Sequence, residues 1–167
     1  YERAANYFKK YVNSPIAGQE QMLDDAQLRL AECSFVEKDF SVALRNYDVV
    51  AKSNSTEAEY AHFQKGIVLG LMNRESEKID VLKDLIQKYP ISKTLDKTYF
   101  EIGETYLDMD NSKGAISYYN QLIQNYPKSS LVPSSYLKIG LAEYNQGNKE
   151  EALKQYKYLI ANYPSSK

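Results

Sequence analysis

The chain repeats itself every 37 residues, and this constrains its fold more than any other feature. Tyr89-Pro90, Tyr126-Pro127 and Tyr163-Pro164 are 37 residues apart, and Gly66, Gly103 and Gly140 keep the same step. Further columns agree. Tyr99 and Tyr136 stand four residues before the Gly, Ala115 and Ala152 twelve after it, and Tyr119 and Tyr156 sixteen after it. Unrelated residue types sharing one period mark a repeat array, in which each unit completes its core by stacking on its neighbours. Ala31, Ala43 and Tyr47 place a degenerate first unit 35 residues ahead of Gly66. Extra residues fall at Ile16-Ala17-Gly18-Gln19, in a loop, where length changes are best tolerated.

Each unit predicts two helices. In the third, Leu95, Tyr99, Ile102, Gly103, Tyr106 and Leu107 recur at helical spacing. Asp110-Asn111-Ser112 breaks the pattern and supplies a cap, and Ala115, Ile116, Tyr119, Leu122 and Ile123 form a second stripe. Tyr126-Pro127 ends it, because proline cannot continue a helix and disfavours helix in the residue before it. In the fourth unit, Asn148 followed by Glu151 predicts a capping box. Neither sustained alternation nor a hairpin-turn dipeptide signals a strand. The expected fold is a single all-α array of about nine helices in antiparallel hairpins. Residues 1–16 are the second helix of a truncated repeat, with repeats at 17–53, 54–90, 91–127 and 128–167. The glycine costs roughly 1 kcal/mol against alanine in a helix interior, so its recurrence implies a close contact, expected between Gly103 and Ala115 and between Gly140 and Ala152.

Composition narrows the function classes. A formal charge of −1 and a pI near 6.0 show no basic excess for nucleic acid. No run of eighteen apolar residues could span a membrane. The chain does not begin with Met, and Tyr1 to Tyr11 already has the pattern of a second helix. A piece of a longer repeat protein is therefore expected, with ends lacking polar caps and open to self-association. Sixteen tyrosines against five phenylalanines and no tryptophan suit a repeated packing role. Tyr60, Tyr118, Tyr144 and Tyr158 fall outside the core columns and are expected at the surface, where aromatics favour recognition.

Candidate chemistry is sparse. Cys33 and His62 are the single residues of their kinds. A nucleophile pair would need both in one pocket; the simpler reading makes Cys33 a small buried residue and His62 a stand-in for the column aromatic. Asp108 to Tyr119 imitates a calcium loop but has Lys113 at its sixth position and Tyr119 at its twelfth, where Gly and Glu are needed. Asp24-Asp25 and Glu150-Glu151 are expected in helix first turns, where they complement the dipole. Asn54-Ser55-Thr56 matches a glycosylation triplet that chance also produces. Neither a phosphate loop nor zinc spacing occurs. The chain is expected to be no enzyme, with no catalytic residue, cofactor or metal.

The columns Tyr99, Ile102, Gly103, Tyr106, Ala115, Tyr119 and Pro127, and again Tyr136, Ile139, Gly140, Ala152, Tyr156 and Pro164, resemble the tetratricopeptide repeat. Glu143 stands where a second aromatic is usual. The second unit keeps Gly66, Leu82 and Pro90 but has Lys78 for the small residue and His62 for the first aromatic. The period departs from the usual 34 or so. With Tyr-Pro-x-Ser at Tyr89, Tyr126 and Tyr163, it is similar to a group that includes outer-membrane-assembly lipoproteins and periplasmic cell-division coordinators. The resemblance implies a right-handed superhelix, a non-catalytic protein-binding scaffold, and a periplasmic or outer-membrane-associated location, with the cytoplasm as the alternative. It assigns a concave groove to Leu28, Glu32 and Phe35, then Phe63, Ile67 and Gly70, then Phe100, Glu104 and Leu107, then Leu137, Leu141 and Tyr144. The family's carboxylate clamp of Lys, Asn and Arg has no counterpart among these residues, and Glu32 and Glu104 would repel such a ligand. The expected partners are proteins or peptides with apolar or amphipathic segments. A spacer role, or a peptide- or glycan-binding role in a bacterial envelope, is the alternative.

Overall fold

The computed structural model describes residues 1–14 and 20–164; the loop expected over Ile16 to Gln19 and the final Ser165 and Ser166 lie outside them. Among the described residues there are nine helices and no strand. They are α1 (Glu2–Asn13), α2 (Glu20–Val36), α3 (Phe40–Lys52), α4 (Ala58–Leu71), α5 (Glu75–Lys88), α6 (Leu95–Asp108), α7 (Ser112–Asn125), α8 (Val132–Asn145) and α9 (Lys149–Asn162). The fold class is the expected one. The helices group into two compact units, residues 1–89 and 90–167. In the first, α1 to α5 each pack on the next; in the second, α6 to α9 do.

One turn recurs in every hairpin. Lys38, Asn73, Asp110 and Gly147 all have positive φ, between 54° and 85°, where glycine, asparagine and aspartate are the least strained residues. Each lets the next backbone N–H reach five residues back. Asp39 N donates to Ser34 O, Arg74 N to Leu69 O, Asn111 N to Tyr106 O, and Asn148 N to Glu143 O, all at 2.8–3.0 Å. This closes the first helix as a Schellman cap and starts the second. Asn111 caps α7 as expected, accepting from Gly114 N at 2.9 Å. The capping box expected at Asn148 does not form. Asn148 Nδ2 is drawn back to Glu143 Oε2 at 2.7 Å, and Glu151 pairs with Lys154. Asp24-Asp25 also departs from expectation: α2 begins at Glu20, so the pair lies beyond its first turn, and Asp25 pairs with Arg29 at 3.4 Å.

The glycine column faces a side chain other than the one expected. A Cβ on Gly103 would meet three Tyr119 ring atoms at 2.6–3.0 Å, and one on Gly140 would meet the Tyr156 ring as closely. On Gly66 the nearest atoms belong to Leu82, at 2.7 and 3.0 Å. The close partner is thus the residue sixteen positions on, not Ala115 or Ala152. Fully buried Ala115 instead joins Tyr119 and Ile139 in one cluster. The odd residues of the second unit also fall into place. Lys78 is buried, with its stem against Gly70, whose Cβ would lie 3.0 Å from Lys78 Cδ; the missing side chain at Gly70 makes room for the lysine. His62 packs edge-on against Tyr89 at 6.1 Å, the contact that Tyr99 makes with Tyr126 at 5.9 Å and Tyr136 with Tyr163 at 6.2 Å. His62 therefore fills the aromatic column.

Candidate functional site

The first helices α2, α4, α6 and α8 carry the residues assigned to the groove, and the structure treats them unequally. In the N-terminal unit, Leu28 is 4% exposed and belongs to the core with Ala31, Tyr47, Ala61 and Val68. Its place as a binding residue is corrected, since its helix turns it inward. Phe35 is half-buried, edge-on to Phe40 at 6.0 Å. Phe63 and Ile67 on α4 are also half-buried. Glu32 is held by Arg29, whose Nη1 donates to it at 3.0 Å.

In the C-terminal unit, Phe100 is half-buried and meets Tyr119 edge-on at 5.4 Å. Leu107 packs on the cluster of Ala115, Tyr119 and Ile139. Glu104 accepts from the Tyr119 hydroxyl and from Lys138 Nζ, the latter at 2.7 Å. Both groove acids are therefore paired to cations of the chain itself, and the repulsion expected of them is largely cancelled. Sequence reading missed Arg29 and Lys138 because each lies between the groove columns. Burial first, and Glu104 second, push the Tyr119 phenol far above its ordinary range; burial does the same to Tyr47. At Tyr136, burial and then Tyr158 raise the phenol to about 12.

The last three groove residues are open. Leu137, Leu141 and Tyr144 on α8 are 49%, 41% and 57% exposed. Spaced four and three residues apart, they share one face. Exposed Leu153 and Ile160 on α9 add to the apolar surface. Their counterparts one period earlier, Ile116 and Ile123, pack on the cluster that contains Ile139 of α8. Tyr60 and Tyr158 are exposed as expected, but Tyr118 is half-buried between Tyr99 at 6.1 Å and Tyr106 at 5.5 Å.

Cys33 and His62 offer little as a catalytic pair. Burial pushes the Cys33 thiol up, away from the nucleophilic thiolate. His62 Nε2 donates to Val81 O at 3.1 Å, leaving Nδ1 buried and without a partner. Burial first lowers the His62 imidazole, Lys65 and Lys88 add to this, and Asp84 at 3.4 Å opposes it. A depressed pKa means that the unfolded chain binds the proton more readily. Stability is therefore full above the ordinary imidazole value of about 6.5 and falls as the pH drops through it. Denaturant midpoints should decrease from about pH 7 towards pH 5, and less so in His62→Tyr, which restores the column aromatic. Because His62 is the only histidine, equal pH dependence in both proteins would contradict the assignment.

The family comparison agrees with this geometry. The sequence model described as tetratricopeptide repeat matches residues 97–129 and 134–166. No curated protein matches the chain in sequence. Among solved structures, one of MamA is similar at a TM-score of 0.75 with 20% identity, over 94% of this chain and 85% of that one. MamA from Desulfovibrio magneticus RS-1 is similar at 0.75 with 16% identity, over 99% and 86%. YrrB, described as a TPR protein with an unusual peptide-binding site, is similar at 0.73 with 14% identity, over 98% and 78%. No catalytic family is indicated by these comparisons. The chain has the tetratricopeptide-repeat fold, and its residues 97–129 and 134–166 match the sequence model of that family.

Proposed function

We propose that the chain is a non-catalytic scaffold that binds an apolar or amphipathic segment of another protein on the first helices of its repeats, α8 foremost. The observation that carries this reading is the open stripe of Leu137, Leu141 and Tyr144 on α8. Large apolar side chains on one solvent-facing helix stripe suit the helix-in-groove mode of recognition. The half-buried Phe63, Ile67, Phe100 and Leu107 serve first as packing. The repeats' similarity to tetratricopeptide proteins supports a protein partner, and the Tyr-Pro-x-Ser resemblance supports a place in a bacterial envelope.

The test compares proteins co-purified with the wild type and with Leu141→Glu/Tyr144→Ala. Both positions are exposed, so the variant should melt as the wild type does, whereas Phe100→Ala would disturb the Tyr119 contact. Partners held by the wild type should fall by about tenfold or more, roughly 1.4 kcal/mol. Equal recovery from both proteins would favour a spacer role. A second reading, self-association, is favoured by the exposure of Leu153 and Ile160 at columns that α8 covers one repeat earlier. It predicts a sedimentation coefficient that rises with concentration and is lost in Ile160→Glu.

A further inference from the structure

A cleft of about 410 Å³ lies between α1 and α3, within the N-terminal unit and away from the first-helix stripes. Its apolar lining includes Leu30 of α2 with Val42 and Val49 of α3. The two second helices that form its walls each present a cation, Lys9 on α1 and Arg45 on α3. Both side chains are exposed, and neither is among the ion pairs of the described residues. Asn6 and Asn13 from α1 and Asn46 from α3 also face the cleft. Asn46 Nδ2 already donates to Val42 O at 2.9 Å, which leaves its Oδ1 and a second N–H to offer.

We propose that this cleft binds an extended peptide segment, with an acidic side chain held between Lys9 and Arg45. Two features of the cleft select this occupant. Two cations on opposite walls, neither in an ion pair, call for a carboxylate, to which the arginine fork can donate twice. Carboxamides both donate and accept, so the asparagines can pair with the N–H and C=O groups that an extended backbone leaves unpaired. The valines then take apolar residues two positions to either side of the acid, because side chains at i and i±2 of a strand point to the same face. Glu37 and Asp39 lie at the end of the cleft where α2 turns into α3. They discourage a second acid there and so set the peptide's register.

The probe is a fluorescein-labelled, N-acetylated and C-amidated pentapeptide of serines and valines with a central aspartate, paired with its central-lysine counterpart. Fluorescence anisotropy with the full chain should show the aspartate peptide binding at least about tenfold tighter than the lysine peptide. Lys9→Glu/Arg45→Glu should reverse that preference with an unchanged melting curve, since both residues are exposed. Lys93→Glu/Lys128→Glu makes the same change of net charge in the other unit and should leave the preference intact. Absence of binding to the wild type at millimolar peptide would overturn the proposal. So would equal affinity for the two peptides, reversal by the control variant as well, or tighter binding of a stapled helical peptide of the same charge.

Discussion

Tyr119→Ala is expected to destabilise the C-terminal unit by about 3–5 kcal/mol, the range for removing a large buried aromatic side chain. The ring is fully buried, lies against Gly103, meets Phe100 edge-on and joins Ala115 and Ile139 in one cluster. It therefore ties α6, α7 and α8 together. Tyr119→Phe keeps these contacts and removes the hydroxyl that Glu104 accepts. A hydrogen bond to a charged group contributes about 1.5–3 kcal/mol; Lys138 still pairs with Glu104, so the loss should sit at the lower end. Urea denaturation of the three proteins separates ring from hydroxyl. If phenylalanine cost as much as alanine, the ring would not be the tie. The same burial predicts alkaline sensitivity. The folded pKa is raised, so the contribution of Tyr119 is complete below the ordinary phenol value of about 10 and declines above it.

Gly103→Ala is the second large effect. A Cβ there would lie 2.6 Å from the Tyr119 ring, and a fully buried ring has no free space into which to retreat. Overpacking of this kind costs about 1–3 kcal/mol, against a gain of about 1 kcal/mol in helix propensity. The sign should depend on the partner. In a Tyr119→Ala background the clash is absent and only the propensity gain remains, so the same substitution should become neutral or stabilising. A double-mutant cycle on denaturant midpoints measures this coupling. Equal costs in both backgrounds would show that the glycine serves some other contact.

The repeat was legible because its columns are enforced by packing that occurs once per hairpin. Gly103, Tyr119 and Pro127 return as Gly140, Tyr156 and Pro164 because the same contacts return. Where a column broke, the sequence alone could name the substitution but not the remedy. Lys78 fits a small-residue column because Gly70, on the neighbouring helix, yields the space. His62 fits an aromatic column because Val81 O takes its N–H. Both remedies join residues on different helices, and no periodicity within one helix encodes them.

The groove was legible in position but not in exposure. Counting from the glycine places Leu28 and Leu137 in one column, yet Leu28 is core while Leu137 is half open. Likewise Glu32 and Glu104 are acids in the sequence but neutralised partners in the fold, through Arg29 and Lys138. What the sequence by itself determined is local and periodic: the helices, their hairpins, the turn at Asp110-Asn111-Ser112, and the family resemblance. The tertiary structure alone decided which apolar residues face solvent, which charges are spent on one another, and that Lys9 and Arg45 line one cleft. Those outcomes depend on distances between side chains far apart in the chain, and helical spacing carries no information about them.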